Sequence, residues 1–136
     1  MALTIFDFPI VDDPSAAWES GPPYEGLYGR ETMQHALCLD FDGVLHSYES
    51  GWVGHEEVAD GPVPGAVQAC HDLADAGWAL YVMTSRSNLA PVQRWLIEQG
   101  FPPMKLTRVK PIAVAYIDDR AVRFEGDWPS VRKLFA

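Results

Sequence analysis

The stretch Leu37-Cys38-Leu39-Asp40-Phe41-Asp42-Gly43-Val44-Leu45 decides the fold. An apolar run closes on two carboxylates one residue apart, and a glycine follows. That pattern is a buried strand delivering two acids to its carboxyl end. Side chains alternate along a strand, so Asp40 and Asp42 leave in the same direction. Two such charges repel unless a cation lies between them or one acid holds a proton. Gly43 lets the chain turn where a side chain would clash.

Working outward, the apolar runs repeat in a fixed rhythm. His35 to Leu39 is the first core strand. Pro64-Gly65 opens a helix whose stripe is Val67, Cys70, Leu73 and Ala74, and Gly77 stops it. Trp78 to Met83 is the next strand, apolar throughout as expected of one covered on both faces. It ends in Thr84-Ser85-Arg86-Ser87-Asn88. A second helix follows from Leu89 to Gly100, with Leu89, Val92, Trp95 and Leu96 as its stripe. Met104 to Val109 holds a short strand, and Lys110-Pro111 comes next. Ile112 to Ile117 is another apolar strand, ending in Asp118-Asp119-Arg120. Ala121 to Phe124 reads as a last edge strand, and Ser130 to Ala136 as a closing helix.

Strand and helix in alternation predict an α/β fold. The expected form is a three-layer, Rossmann-like open parallel sheet with helices on both faces. Ligands of such sheets bind outside the carboxyl ends of the strands. Asp40/Asp42, Thr84/Ser85 and Asp118/Asp119 therefore converge on one edge.

Two domains of unequal weight are expected. Residues 1–34, rich in proline and glycine, form an N-terminal extension on a catalytic domain of residues 35–136. Leu3 to Phe8 reads as a short strand. Trp18, Tyr24, Leu27 and Tyr28 pin the extension to the core, or it serves as a dimer arm or substrate wall. Residues 45–62 form a small flap beside the first strand tip. Within it, Trp52 either packs the flap or offers a stacking platform for a base. His46 and His55 also lie on the flap, near the strand tip.

The chain has 136 residues and a formal net charge of −9, with 48% hydrophobic and 21% charged residues. That suits one globular core and disfavours a protein that coats nucleic acid through its phosphates. Cys38 and Cys70 read as small buried hydrophobes of a reducing compartment rather than a disulfide. No stretch has the apolar length of a membrane span. Asp7, Asp12 and Asp13 stand where a signal peptide would be basic, so a cytoplasmic protein is expected.

Taken together, Asp40-Phe41-Asp42-Gly43-Val44, the strand ending in Thr84, Lys110, and the strand ending in Asp118-Asp119 resemble the four motifs of the haloacid dehalogenase-like hydrolases, in the right order over residues 36–124. Val44 departs from the threonine of many members. The resemblance implies a Mg²⁺-dependent phosphatase. Asp40 would be the nucleophile that becomes an aspartyl-phosphate, and Asp42 the general acid, then base. Mg²⁺ would be held by Asp40, the Asp42 carbonyl and Asp118, with Asp119 as a further ligand or the holder of a metal-bound water. Thr84, Ser85, Arg86 and Lys110 would bind the phosphoryl group, Lys110 also neutralising charge and anchoring Asp40. For Arg86 a salt bridge to a surface acid competes with that role.

The gaps after the first motif and before Lys110 are too short for a cap domain. Within the family an open site implies a large substrate, or a homo-oligomer that supplies the missing lid. The expected partner is a phosphorylated small molecule or polymer end. A polynucleotide 3′-phosphatase-like, end-processing enzyme is the alternative, and a catalytically idle binding module of the same fold is the reading from outside enzymology.

Overall fold

The computed structural model describes residues 2–11 and 35–136. Among the described residues the chain forms a three-layer α/β fold around a four-stranded, all-parallel sheet flanked by helices, with no cap domain. The strands are β1 (Ala36–Asp40), β2 (Ala79–Met83), β3 (Lys105–Thr107) and β4 (Ala115–Ile117). The helices are α1 (Ala66–Asp75), α2 (Ala90–Gln99) and α3 (Trp128–Leu134). The sheet order is β3-β2-β1-β4.

Helical crossovers carry the chain from β1 to β2 and from β2 to β3. It then jumps back across both to place β4 on the far side of β1. The order therefore reverses between β1 and β4, and an open sheet has its ligand crevice where that happens.

Alternation along β1 sorts the two faces. Leu37 and Leu39, with Leu80, Val82 and Leu106, join one cluster with Cys70 of α1 and Val92, Trp95 and Leu96 of α2. Each such side chain contributes about 1.5–3 kcal/mol when fully buried. The opposite face carries the smaller cluster of Ala36, Cys38, Tyr81 and Ala113. Asp40 belongs by parity to this second face. Both cysteines are buried and unpaired.

Two expected strands are absent. Leu3 to Phe8 is not extended: Thr4 caps a 3-10 turn at Ile5–Asp7, and its own N–H is received by Asp7 Oδ2 at 2.8 Å. That reciprocal cap outcompetes strand pairing for a polar-flanked segment. Sheet contact begins one step later, where Ile10 bridges Leu106 in parallel and the Val11 N–H donates to Leu106 O at 2.7 Å. Phe8 is fully buried, and Gln93 Nε2 donates to its carbonyl. The edge strand expected at 121–124 is also missing. Asp118 Oδ1 accepts from the Arg120 N–H at 2.8 Å, which turns the chain just past β4. The expected anchoring by Trp18, Tyr24, Leu27 and Tyr28 lies outside the described residues.

Among the described residues no helix is long and apolar enough to cross a membrane.

Candidate active site

Register builds the site. β1 and β4 pair in parallel with Leu37 beside Ala115, Cys38 beside Tyr116 and Leu39 beside Ile117. Asp40 closes β1, and Asp118 follows directly on the last residue of β4. Asp119 follows at the turn. Ligand oxygens of Asp40, Asp118 and Asp119 all lie within 4.8 Å of one another.

Asp119 reaches the cluster over Gly43, which has φ +93°. A β-carbon at Gly43 would sit 2.7 Å from Asp119 Cγ, and closer still to Oδ2. The glycine is thus required twice, for its left-handed backbone and for the space above it.

The crowding leaves a chemical mark. Burial, then the charges of Asp118, Asp119 and Asp42, push the Asp40 carboxyl up to about 6; the Phe41 N–H opposes them in part. An all-oxygen donor set of this kind fits a hard divalent cation such as Mg²⁺.

Asp42 is handled differently. Arg86 Nε donates to its Oδ2 at 3.0 Å and Arg86 Nη2 to its Oδ1 at 2.9 Å. His46 Nδ1 contacts the same Oδ1 at 2.8 Å. Burial alone would raise this carboxyl, but the hydrogen bonds of Arg86 and His46 and the charge of Arg86 outweigh it and hold Asp42 below the usual range. The Asp60 N–H donates to His46 Nε2 at 3.1 Å, which leaves Nδ1 as the protonated nitrogen facing Asp42.

Arg86 is 2% exposed. Its Nη1 donates to the carbonyls of Gly54 and Glu57, so one guanidinium ties the β1 tip to the flap. Arg86 is in an ion pair, but its acid is Asp42 at the strand tip and not one on the surface.

The remaining expected residues occupy the neighbouring strand ends. Thr84 is buried just past β2, and its Oγ1 accepts from the Arg86 N–H at 3.2 Å. Ser85 beside it is exposed. Lys110 is not ion-paired with Asp40: its Nζ lies 4.3 Å from the Tyr116 ring centroid. The site therefore joins Asp40, Asp118 and Asp119 directly. It sets Asp42 in a separate ion pair and leaves Lys110 on an aromatic ring at the same face.

Sequence reading missed the supports. His46 is 1% exposed and stacks on Phe41 at 5.5 Å, with Trp95 edge-on at 5.5 Å. Trp95 Nε1 donates to Asp60 O at 2.8 Å. Arg108 reaches across from the end of β3 to donate to the carbonyls of Arg86 and Ser87. Only the Asp42/His46 spacing of four residues hinted at any of this.

No family model matches the chain, and neither a curated protein nor a solved structure matches it. What stands is geometric. A Rossmann-like domain carries an acidic cluster at its switch point, an arrangement consistent with a haloacid dehalogenase-like core and with hydrolase chemistry assisted by a divalent cation.

Proposed function

We propose that the chain is a capless member of the haloacid dehalogenase-like hydrolases, a Mg²⁺-dependent phosphatase acting on phosphate monoesters. The observation that carries this is the cluster of Asp40, Asp118 and Asp119, whose ligand oxygens lie within 4.8 Å of one another beside the crevice between β1 and β4.

Asp40, Asp118 and Asp119 would hold the ion. When bound, it lowers repulsion between an anionic nucleophile and an anionic phosphate. An Asp40 oxygen attacks phosphorus, the ester P–O bond breaks, and the departing oxygen takes the proton of Asp42 in its acid form, which the attacking water returns to Asp42 in the second step. Water then attacks the phosphorus of the aspartyl-phosphate. The acyl P–O bond breaks, inorganic phosphate leaves and Asp40 is restored. A carboxylate is a weak base, so it is a good leaving group in that second step.

Asp42 is the acid–base group of this scheme. Its pairing with Arg86 keeps it ionised, which is the form that receives a proton from water. Protonating a leaving alcohol requires an oxygen to part from Arg86 or His46. Thr84 and Ser85 would bind a phosphoryl oxygen. Lys110 would neutralise transition-state charge after turning from Tyr116 toward Asp40. Arg86 acts as a positioning residue for Asp42 and the flap.

The test is phosphate release from a generic aryl phosphate. Release should require Mg²⁺, stop with a chelator, and vanish in Asp40→Asn while circular dichroism keeps the fold. Hydrolysis surviving in Asp40→Asn would refute the assignment. Absence of both hydrolysis and calorimetric metal binding would leave a binding module.

A further inference from the structure

Trp52 stands on the flap at the carboxyl edge of the sheet, and its indole is 52% exposed. It is nevertheless held in place. The Arg86 guanidinium lies over its ring, with Cζ 5.2 Å from the centroid. The His55 ring meets it edge-on at 4.7 Å.

Both holders are tied to the walls of the site. Arg86 grips Asp42. His55 Nδ1 accepts from the Ser87 N–H at 3.0 Å, three residues past Thr84. The ring is therefore one guanidinium away from the Asp42 carboxylate, and it is fixed to the same loop that would bind phosphate.

Covering Arg86 accounts for only part of this ring, since the residue is 52% exposed. Trp95, which does pack, is 4% exposed and has its Nε1 hydrogen-bonded. A large aromatic that is rigid yet half in water loses little freedom when a second ring stacks on it.

We propose that Trp52 receives the organic half of the substrate, whose leaving group carries a flat aromatic ring, either a nucleobase or an aryl group. This rests on the phosphatase reading for where the phosphate lies. The net charge of −9 favours a small ester over a polynucleotide, whose many phosphates an acidic surface repels.

Phosphonates test this without turnover, since their C–P bond is not hydrolysed. Calorimetry on the full chain with Mg²⁺ compares a nucleoside phosphonate, benzylphosphonate and ring-free propylphosphonate. The ring-bearing probes should bind about tenfold more tightly than the propyl compound. The nucleoside and benzyl arms show which ring is preferred. In Trp52→Leu the affinity ratio should fall towards one; in Trp52→Phe, which keeps a ring over Arg86, most of it should return. Equal affinities in the wild type, or a ratio unchanged in Trp52→Leu, would overturn the proposal. Phosphate release from phenyl phosphate is scored separately. A ring preference without release sinks the phosphatase reading alone, and release without a ring preference sinks the platform alone.

Discussion

The carboxylate of Asp119 lies over the α-carbon of Gly43, so close that a β-carbon there would meet Asp119 Cγ at 2.7 Å. One residue's missing side chain is thus the seat of another's carboxylate. Gly43→Ala should displace Asp119 and strain a left-handed backbone, at a cost of about 1–3 kcal/mol. Gly51→Ala is the matched control, because φ there is +73° but nothing lies within 4 Å. It carries the backbone strain without the collision. Both variants should lower the melting temperature, and only Gly43→Ala should weaken Mg²⁺ binding by calorimetry. Equal metal affinity in the two variants would remove Asp119 from the metal site.

The Asp40 carboxyl, raised from 3.8 to about 6 by burial and by its acidic neighbours, links the metal to pH. In the metal-free chain the folded state binds this proton more tightly than the unfolded state does. Stability should therefore decline as pH rises from about 4 through 6, and level off above. A cation must displace the same proton, so its affinity should climb over that window and then plateau. Melting curves with and without Mg²⁺ at pH 5 and 7.5 check this, with the larger stabilisation expected at pH 7.5. Asp40→Asn should raise the metal-free melting temperature at pH 7.5 and shrink the Mg²⁺ increment. An increment equal at both pH values would contradict the linkage.

How much of this was legible in the sequence follows from what kind of information each feature needs. The strand-and-helix rhythm was readable because burial repeats locally, as in Leu37/Leu39 against Ala36/Cys38. The meeting of Asp40 and Asp118 was readable in outline, since both close apolar strands that share an edge. Its mechanism was not, because register between β1 and β4 is a long-range property. The 3-10 turn at Ile5–Asp7 went unseen because a Thr4/Asp7 cap and a strand start look alike in a short apolar run. Most opaque was the Asp42–Arg86–His46 network. It joins residues 44 positions apart, and no periodicity records such a pairing.

Both thiols offer a check on the core that is independent of the site. Cys38 and Cys70 are 1% and 2% exposed, and burial foremost pushes each up to about 11. Thiolate, the reactive form, is scarce at pH 8 and shielded. Neither should react with an aromatic disulfide reagent over minutes in the native chain, and both should react after denaturation. Rapid labelling of one thiol in buffer would show that its face of the sheet opens.

Arg86 is the contact whose removal should be felt most widely. It is 2% exposed, while Asp42 keeps 23% of its side chain in solvent. Arg86→Met preserves volume but leaves Asp42 with His46 as its polar side-chain partner, and releases the carbonyls of Gly54 and Glu57. Breaking a buried pair from one side costs about 3–5 kcal/mol; the partial exposure of Asp42 places this case at the lower end. Arg86→Lys should not rescue it, since a single ammonium cannot span two carboxylate oxygens and two flap carbonyls. The sign with pH follows from Asp42, which the pair holds below the usual carboxylate range. Its contribution is fully present above the unfolded-state value of about 4 and is lost as pH falls through the folded value. Urea denaturation of wild type and Arg86→Met at pH 7 should therefore differ most, and the gap should narrow below pH 4. In Asp42→Asn/Arg86→Met the two losses should total less than the sum of the single variants, because each alone already breaks the pair. Strict additivity would mean that Asp42 and Arg86 contribute to stability independently of each other.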